Sequence, residues 1–299
     1  MLSKLEFFES NTGQPERPVE HNALQIAIEK HLHAFGGTGR IEPATEGTLG
    51  VCFHADIAGT RRFVKTHMSA AQARANLTKE ADILLRLYGD AVIIDRFEVQ
   101  AADGTNRLCL VMAELAPLRA PMNADEAEEL ARGNIERLTG YRPASLAPSW
   151  DFERYIACGL RAVVLLSDAG LLENYVGAEL NQILVGLSYK LGALPRALCH
   201  GDFGPKNIMR DGARPIAIDW EDAFWGVAGY DYLYWLTFMD NRPFLHSAAF
   251  GRTGLHRDDE RAILALVVLL KSFLAFRSGA YLRHAVSINA RTAEVLDLP

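Results

Sequence analysis

Apolar and polar residues alternate in short runs over the first third of the chain, and turn residues separate these runs. This pattern is typical of β-strands. Glycine turns are predicted at Glu46-Gly47 and Ala58-Gly59, and Asp103-Gly104 gives a strong hairpin signal. The predicted strands cover residues 40–44, 49–57, 61–67, 92–100 and 107–115. Together they predict an antiparallel sheet.

Helical spacing of apolar residues occurs twice in the same part of the chain. One helical segment, residues 18–36, precedes the strands, and a second lies between the third and fourth strands. The second is predicted to start near Ser69, which has Gln72 at capping-box spacing, and to stop at Gly89. Residues 1–115 therefore predict an N-terminal lobe with a sheet and one main helix.

The pattern changes near Pro117, after which helical spacing predominates. Helices are predicted at residues 124–138, 150–169, 176–191 and 258–283. A polar loop and a short hairpin, with its turn at Asp211-Gly212, interrupt them between residues 196 and 219. The sequence thus predicts an α+β fold of two lobes, in which residues 116–299 form a mostly helical C-terminal lobe after a hinge near residues 112–117.

The amino-acid composition and the net charge of the chain limit the kinds of partner that are expected. The 299 residues are 49% hydrophobic, which is ample for sizeable cores, and the net charge is -6 without a basic stripe, so a nucleic-acid partner is not expected. The longest apolar run, residues 262–270, is too short to span a bilayer, and no membrane partner is expected. Four cysteines without CxxC spacing fit a reducing, cytoplasmic location. The oligomeric state stays open.

The loop CHGDFGPKNIM, residues 199–209, carries the candidate chemistry. Asp202 and Asn207 are five residues apart, and the following hairpin brings Asp219 back beside them. Phosphoryl transfer from ATP needs a carboxylate that accepts the proton of the attacking hydroxyl, and oxygen ligands for Mg²⁺. These three residues supply that set, while His200 is interpreted as a structural histidine behind the loop.

A cation for the phosphates is predicted on the N-terminal lobe. Lys65 lies at the end of a strand, and Glu80 borders the inward face of the main helix, where a buried carboxylate needs a partner. The two are expected to pair. Upstream, Gly47 and Gly50 give a flexible turn whose backbone amides could approach phosphates. Lys206 is a further candidate for the γ-phosphate.

These residues resemble the aminoglycoside phosphotransferase and choline kinase group of small-molecule kinases. The segment HGDFGPKN matches the group's H-x-D-x-x-x-x-N catalytic loop, and IAIDWEDAFWG resembles its metal-binding segment. The resemblance implies a two-lobed protein-kinase-like fold and a Mg-dependent kinase that moves the γ-phosphoryl group of ATP to a hydroxyl of a small molecule. The absence of an A-P-E signature argues against protein substrates.

The resemblance also implies a role for each matching residue. Asp202 corresponds to the catalytic base, Asn207 and Asp219 to the Mg²⁺ ligands, and Lys65 to the phosphate clamp with Glu80 as its partner. A supporting aspartate corresponds to Asp231. Adenine is expected against the hinge, at Met112, Glu114 and Leu115.

The acceptor stays open between an aminoglycoside, an amino alcohol such as choline, homoserine and a sugar. Candidate acids for a cationic acceptor are Asp151, Glu153, Glu221 and Asp222. The aromatic residues of 220–235 are interpreted as core more than as a cation-binding box. The alternative to an enzyme is a pseudokinase-like regulatory protein that binds a nucleotide.

Overall fold

A five-stranded antiparallel sheet forms the N-terminal part of the protein in the computed structural model, which describes residues 18–34, 41–44, 51–67, 71–118, 120–146 and 152–299. Its strands are β1 (Glu42–Pro43), β2 (Val51–Ile57), β3 (Thr60–Thr66), β4 (Ile93–Gln100) and β5 (Asn106–Ala113). They lie in the order β1-β2-β3-β5-β4. The predicted sheet is confirmed, although β1 has only two residues.

The turns of the sheet follow from its glycines. Ala58 and Gly59 both have positive φ, 52° and 75°, which is the conformation that a two-residue hairpin loop requires. Gly104 has φ 78° in the hairpin between β4 and β5. The turn predicted at Glu46-Gly47 and the helix start predicted at Ser69 lie outside the described residues.

Two helices, α1 (Pro18–Ala34) and α2 (Ala71–Tyr88), cover opposite faces of the sheet. Along β5 the buried side chains alternate: Cys109 packs in the cluster with α1, and Leu110 packs in the cluster with α2. Lys65 on β3 pairs in register with Leu110. Because register partners share a face of a sheet, Lys65 lies on the α2 side.

The C-terminal part is mostly helical, with short strands at its boundary with the sheet. Its elements are β6 (Ala116–Pro117), α3 (Ala124–Leu138), α4 (Phe152–Asp168), α5 (Asn174–Lys190), β7 (Arg196–Cys199), β8 (Ile208–Asp211), β9 (Arg214–Ala217), β10 (Phe224–Val227), α6 (Tyr230–Leu236), α7 (Arg242–Ala248), α8 (Arg257–Arg277) and α9 (Ile288–Leu296). The α+β class is confirmed.

Helix α8 is the centre of the C-terminal core. Every residue from Ala262 to Leu270 is buried, and α4, α5, α6 and α9 pack around this run. The long apolar segment is therefore the middle of a core helix. Among the described residues, no helix combines the length and the apolar character that crossing a membrane requires.

Several details differ from the sequence-based expectation, among them strands β7 and β10, which were not predicted, and β9, which ends at Ala217 and not at Asp219. The helix predicted at 258–283 ends at Arg277, because Gly279 adopts φ 70° and a short 3₁₀ turn follows. Residues 116–117 do not end β5 but form β6, which pairs with β8 of the C-terminal hairpin. Helices α6, α7 and α9 were not predicted.

Candidate active site

The Lys65 side chain contacts carboxylates from both the N-terminal and the C-terminal part of the chain. Its Nζ lies 2.7 Å from Glu80 Oε2 on α2, 2.7 Å from Asp219 Oδ1 and 2.9 Å from Glu221 Oε1, the last two from the segment after β9. The predicted contact with Glu80 is present. Burial alone lowers the pKa of the Lys65 ammonium, but the three carboxylates outweigh it and raise the pKa well above its ordinary value.

Glu80 connects α2 to the C-terminal part through both of its oxygens. Oε2 accepts from Lys65, and Oε1 accepts the backbone N–H of Asp219 at 3.1 Å. The side chain is 1% exposed. Burial raises the pKa of the Glu80 carboxyl to about 8, Lys65 opposes this shift, and the charges of Asp219 and Glu221 add to it.

Asp219 follows β9 in a left-handed conformation, with φ 64° and ψ 53°. Aspartate tolerates this region better than most residues with a Cβ, and such backbone is enriched at functional sites. The carboxylates of Glu80, Asp219 and Glu221 offer oxygens within 4.8 Å of one another. Asp219 is 43% exposed, against 1% and 17% for the other two, so it is the acid of this group that a ligand reaches most easily.

The loop between β7 and β8 is fixed by buried polar contacts. His200 is fully buried, and its Nε2 lies 2.8 Å from the carbonyl oxygen of Ile218. Asp231 Oδ2 accepts the His200 N–H at 2.8 Å, and Oδ1 accepts the Gly201 N–H at 3.2 Å. These contacts support the interpretation of His200 as a structural residue and show that Asp231 holds the backbone of the loop. A Cβ at Gly201, whose φ is 84°, would overlap the carbonyl oxygen of Asp222.

Asp202 and Asn207 face each other across the loop. The Asn207 Nδ2 donates to the Asp202 carbonyl at 2.8 Å, and the Ile218 N–H donates to the Asn207 carbonyl at 2.9 Å. The amide nitrogen of Asn207 is therefore turned toward the loop, and Oδ1 is its atom suited to a metal. The hydroxyl of Tyr234 on α6 donates to Asp202 Oδ1.

Other predicted nucleotide contacts are placed as follows. Met112 is buried in β5, and Leu115 is half-buried against the core. The carboxylate of Glu114 pairs with Arg61 at 3.0 Å and lies 3.5 Å from His54 Nδ1, so a contact to adenine would come from its backbone. Gly47 and Gly50 lie outside the described residues, and Lys206 is exposed.

The candidate acceptor acids are not brought together as a group. Glu221 pairs with Lys65, Asp222 is half-buried, Glu153 is exposed, and Asp151 lies outside the described residues. The aromatic side chains Trp220, Tyr230, Tyr232, Tyr234 and Trp235 are buried and Trp225 is half-buried against the same core, which supports their interpretation as core. Sequence reasoning missed the Glu221 ion pair, the Tyr234 contact, and Lys271, whose ammonium lies over the rings of Tyr234 and Phe238.

The donor set fits magnesium and a nucleotide. Mg²⁺ binds through oxygen ligands, commonly one or two carboxylates together with phosphate oxygens. Asn207 and Asp219 come from the two ends of one hairpin, whose strands β8 and β9 are paired from Ile208 with Ala217 onward. Lys65 supplies a buried cation beside Asp219.

Comparison with known proteins gives the family. Residues 18–265 match the model of the phosphotransferase enzyme family. No curated protein sequence matches the chain significantly. Since the family model covers most of the chain, the protein belongs to the phosphotransferase enzyme family.

Solved structures show the same fold at low sequence identity. Aminoglycoside phosphotransferase APH(4)-Ia is 16% identical, with 91% of this chain and 98% of that chain covered and a TM-score of 0.60; a mutant of it was solved with AMP-PNP and hygromycin B. Amicoumacin kinase hAmiN, in complex with AMP-PNP, Ca²⁺ and its ligand, is 15% identical over 91% of each chain, with a TM-score of 0.57. Choline kinase from Cryptosporidium parvum Iowa II is 10% identical over 90% of this chain and 92% of that chain, with a TM-score of 0.55.

Proposed function

We propose that this member of the phosphotransferase enzyme family transfers the γ-phosphoryl group of ATP to a hydroxyl of a small molecule, with Mg²⁺ as cofactor. One observation carries the proposal: Lys65 contacts Glu80 of the N-terminal part and Asp219 of the C-terminal part, each at 2.7 Å. The loop with Asp202 and Asn207 connects to the same hairpin. A cation for phosphate thus meets one proposed metal ligand directly, and the other proposed ligand and the proposed base lie on the loop that leads into the same hairpin.

Lys65 would bind the α- and β-phosphates. Its three carboxylate partners keep it protonated and hold its ammonium in place, and Glu80 anchors it from the buried side. Asp219 is the most exposed of the three partners. It can release the Lys65 ammonium and bind a metal once phosphate oxygens of the nucleotide bind that ammonium in its stead. The adenine would lie against the backbone of residues 112–115. Gly47 and Gly50 would approach the phosphates.

Asn207 and Asp219 would hold Mg²⁺. When bound there, Mg²⁺ neutralises charge on the phosphate oxygens. Asp202 would accept the proton of the acceptor hydroxyl at its carboxylate. The chain's contribution is then mainly positioning and charge complementarity, as in other phosphoryl transfer enzymes.

We place nucleotide binding in residues 1–115 and acceptor binding in residues 116–299. The acceptor is a hydroxylated small molecule of the aminoglycoside, amino alcohol, homoserine or sugar type. The structurally similar proteins include kinases named for choline, aminopropanol and amicoumacin. These names support a small-molecule acceptor. Four free cysteines and the use of ATP fit a reducing, cytoplasmic compartment.

The test is a search for the acceptor. A thermal-shift screen with Mg²⁺ and a non-hydrolysable ATP analogue should find ligands that raise the melting temperature, because ligands stabilise the native state by mass action. Each hit is then incubated with ATP and Mg²⁺, and the phosphorylated product is measured. Transfer to at least one hydroxylated compound supports the proposal. Nucleotide binding without transfer to any of them would favour the regulatory alternative.

A further inference from the structure

Tyr234 lies outside the catalytic loop and reaches the carboxylate of Asp202. It lies on α6, is 4% exposed, and its hydroxyl donates to Asp202 Oδ1. Burial, and then the negative charge of Asp202, raises the pKa of the Tyr234 phenol well above its ordinary value. The hydroxyl therefore keeps its proton and remains a donor to the carboxylate throughout the working pH range.

The loop contacts hold the backbone of Asp202. Its N–H points to His200 Nδ1 at 3.3 Å, and its carbonyl accepts from Asn207 at 2.8 Å. Neither contact involves the carboxylate. The bond from Tyr234 restricts rotation about the Cβ–Cγ bond, so both carboxylate oxygens keep defined positions relative to the loop.

The ring of Tyr234 is itself immobilised. It lies 5.9 Å from the ring of Tyr230 and 5.7 Å from that of Phe238, while the ammonium of Lys271 lies 4.1 Å from its centroid. Phe238 is pressed against the loop, because a Cβ added at Gly204 would overlap its ring. The phenol is therefore held in a packed position, which lets its hydroxyl define the position of another group.

We propose that Tyr234 is a positioning residue for phosphoryl transfer, whose hydroxyl holds the Asp202 carboxylate in the orientation that accepts the proton of the acceptor hydroxyl. This inference rests on the proposed function, in which Asp202 is the base. A misoriented base lowers the rate of the chemical step and leaves nucleotide binding unchanged, because Tyr234 bonds to the Asp202 carboxylate, whereas Asn207, the proposed metal ligand on the same loop, bonds to the Asp202 carbonyl.

The chain offers a matched control one turn earlier on α6. Tyr230 is also fully buried, and its hydroxyl has no hydrogen-bond partner among the described residues. Tyr230→Phe and Tyr234→Phe each remove one buried oxygen from the same helix. Only Tyr234→Phe removes a bond to Asp202.

The experiment measures ADP release from ATP with saturating Mg²⁺, first with water as acceptor and then with any acceptor that is found. For Tyr234→Phe, kcat should fall roughly tenfold to a hundredfold while KM for ATP stays as in the parent. Tyr230→Phe should retain the parent kcat. In an Asp202→Asn background, Tyr234→Phe should cause no further loss, because the two residues act as one unit.

The outcomes separate this inference from the function on which it rests. If the parent releases ADP and the two Tyr→Phe variants have equal kcat, the positioning role is wrong and the phosphotransferase proposal stands. The same holds if Tyr234→Phe lowers the rate equally in the parent and in the Asp202→Asn background. If the parent neither hydrolyses ATP nor transfers phosphate, both proposals fail.

Discussion

The buried pair of Lys65 and Glu80 allows a test in which a second mutation should restore stability. In Lys65→Met the aliphatic stem is largely kept, but Glu80, which is 1% exposed, loses its cation. Breaking a buried ion pair by removing one partner costs about 3–5 kcal/mol. Glu80→Gln alone should cost about 1–2 kcal/mol, since the Gln oxygen can still accept the Asp219 N–H and Lys65 keeps Asp219 and Glu221.

The double variant should therefore be more stable than Lys65→Met, because it no longer buries an unpaired carboxylate. We expect an interaction energy of about 2 kcal/mol between the two sites, within the usual range for residues in contact. Urea unfolding without nucleotide measures it. The surface pair Arg132→Met and Glu128→Gln on α3, whose arginine is 55% exposed, serves as control and should be additive. Additive effects at Lys65 and Glu80 would refute the reasoning.

The stability of Lys65→Met should also depend on pH, in a direction that follows from the pKa of Glu80. Burial raises the pKa of the Glu80 carboxyl and Lys65 opposes this rise, so the pKa should be higher still when Lys65 is removed. A carboxyl with a raised pKa in the folded state binds more protons folded than unfolded, so stability falls as pH rises from the unfolded value toward the folded one. Between pH 5 and 9, Lys65→Met should therefore become less stable as the pH rises. The double variant lacks the Glu80 carboxyl and should not show this loss.

Three further changes have specific expected outcomes. Asp219→Ala should abolish Mg²⁺-dependent nucleotide binding by isothermal titration while the circular dichroism spectrum is kept; unchanged affinity for MgATP would contradict its role as a ligand. Gly201→Ala should lower the free energy of unfolding by about 2–4 kcal/mol, because the new Cβ would overlap the Asp222 carbonyl. Gly212→Ala, at φ 59° with open space around it, should cost about 1 kcal/mol. Equal costs would show that the overlap with the carbonyl is not the cause. A thiol reagent should modify the half-buried Cys158 first, because burial raises the pKa of the Cys52 and Cys109 thiols to about 12. Fast modification of the Cys52 thiol would contradict its burial beside Lys65.

Much of the fold was predictable because its signals are local. The turns predicted at Ala58-Gly59 and Asp103-Gly104 lie in the hairpin loops, and the turn predicted at Asp211-Gly212 is one residue early, since Asp211 still pairs with Arg214. Helix α3 also has its predicted bounds, since Asn123 and Glu126 form a capping box and its apolar residues follow one face. In each case a few neighbouring residues fix the conformation.

Helix α6 was missed because its pattern is uninformative. All seven of its residues are buried, so apolar side chains surround the helix and no periodicity separates an inward from an outward face. The start of α8 was predicted to within one residue, but its C-terminal end was placed too late, because apolar residues continue past Gly279 into the 3₁₀ turn.

The candidate site was predictable only in part. The pairing of Lys65 with Glu80 follows from a strand end and a helix face, and it is present. The contacts of Glu221 with Lys65 and of Tyr234 with Asp202 join residues 156 and 32 positions apart. Such contacts depend on how the short 3₁₀ turn after Asp219 and helix α6 pack, and no local pattern encodes that packing.

The most direct measurement compares the parent with Asp202→Asn at saturating ATP, Mg²⁺ and acceptor. The substitution keeps the size of the side chain and an oxygen for Tyr234, but removes the basicity of the carboxylate. Product formation should fall roughly a hundredfold to ten-thousandfold, the usual contribution of a general base, while isothermal titration gives the parent's affinity for MgATP. Equal turnover in the two proteins would contradict the central claim that Asp202 is the base for phosphoryl transfer.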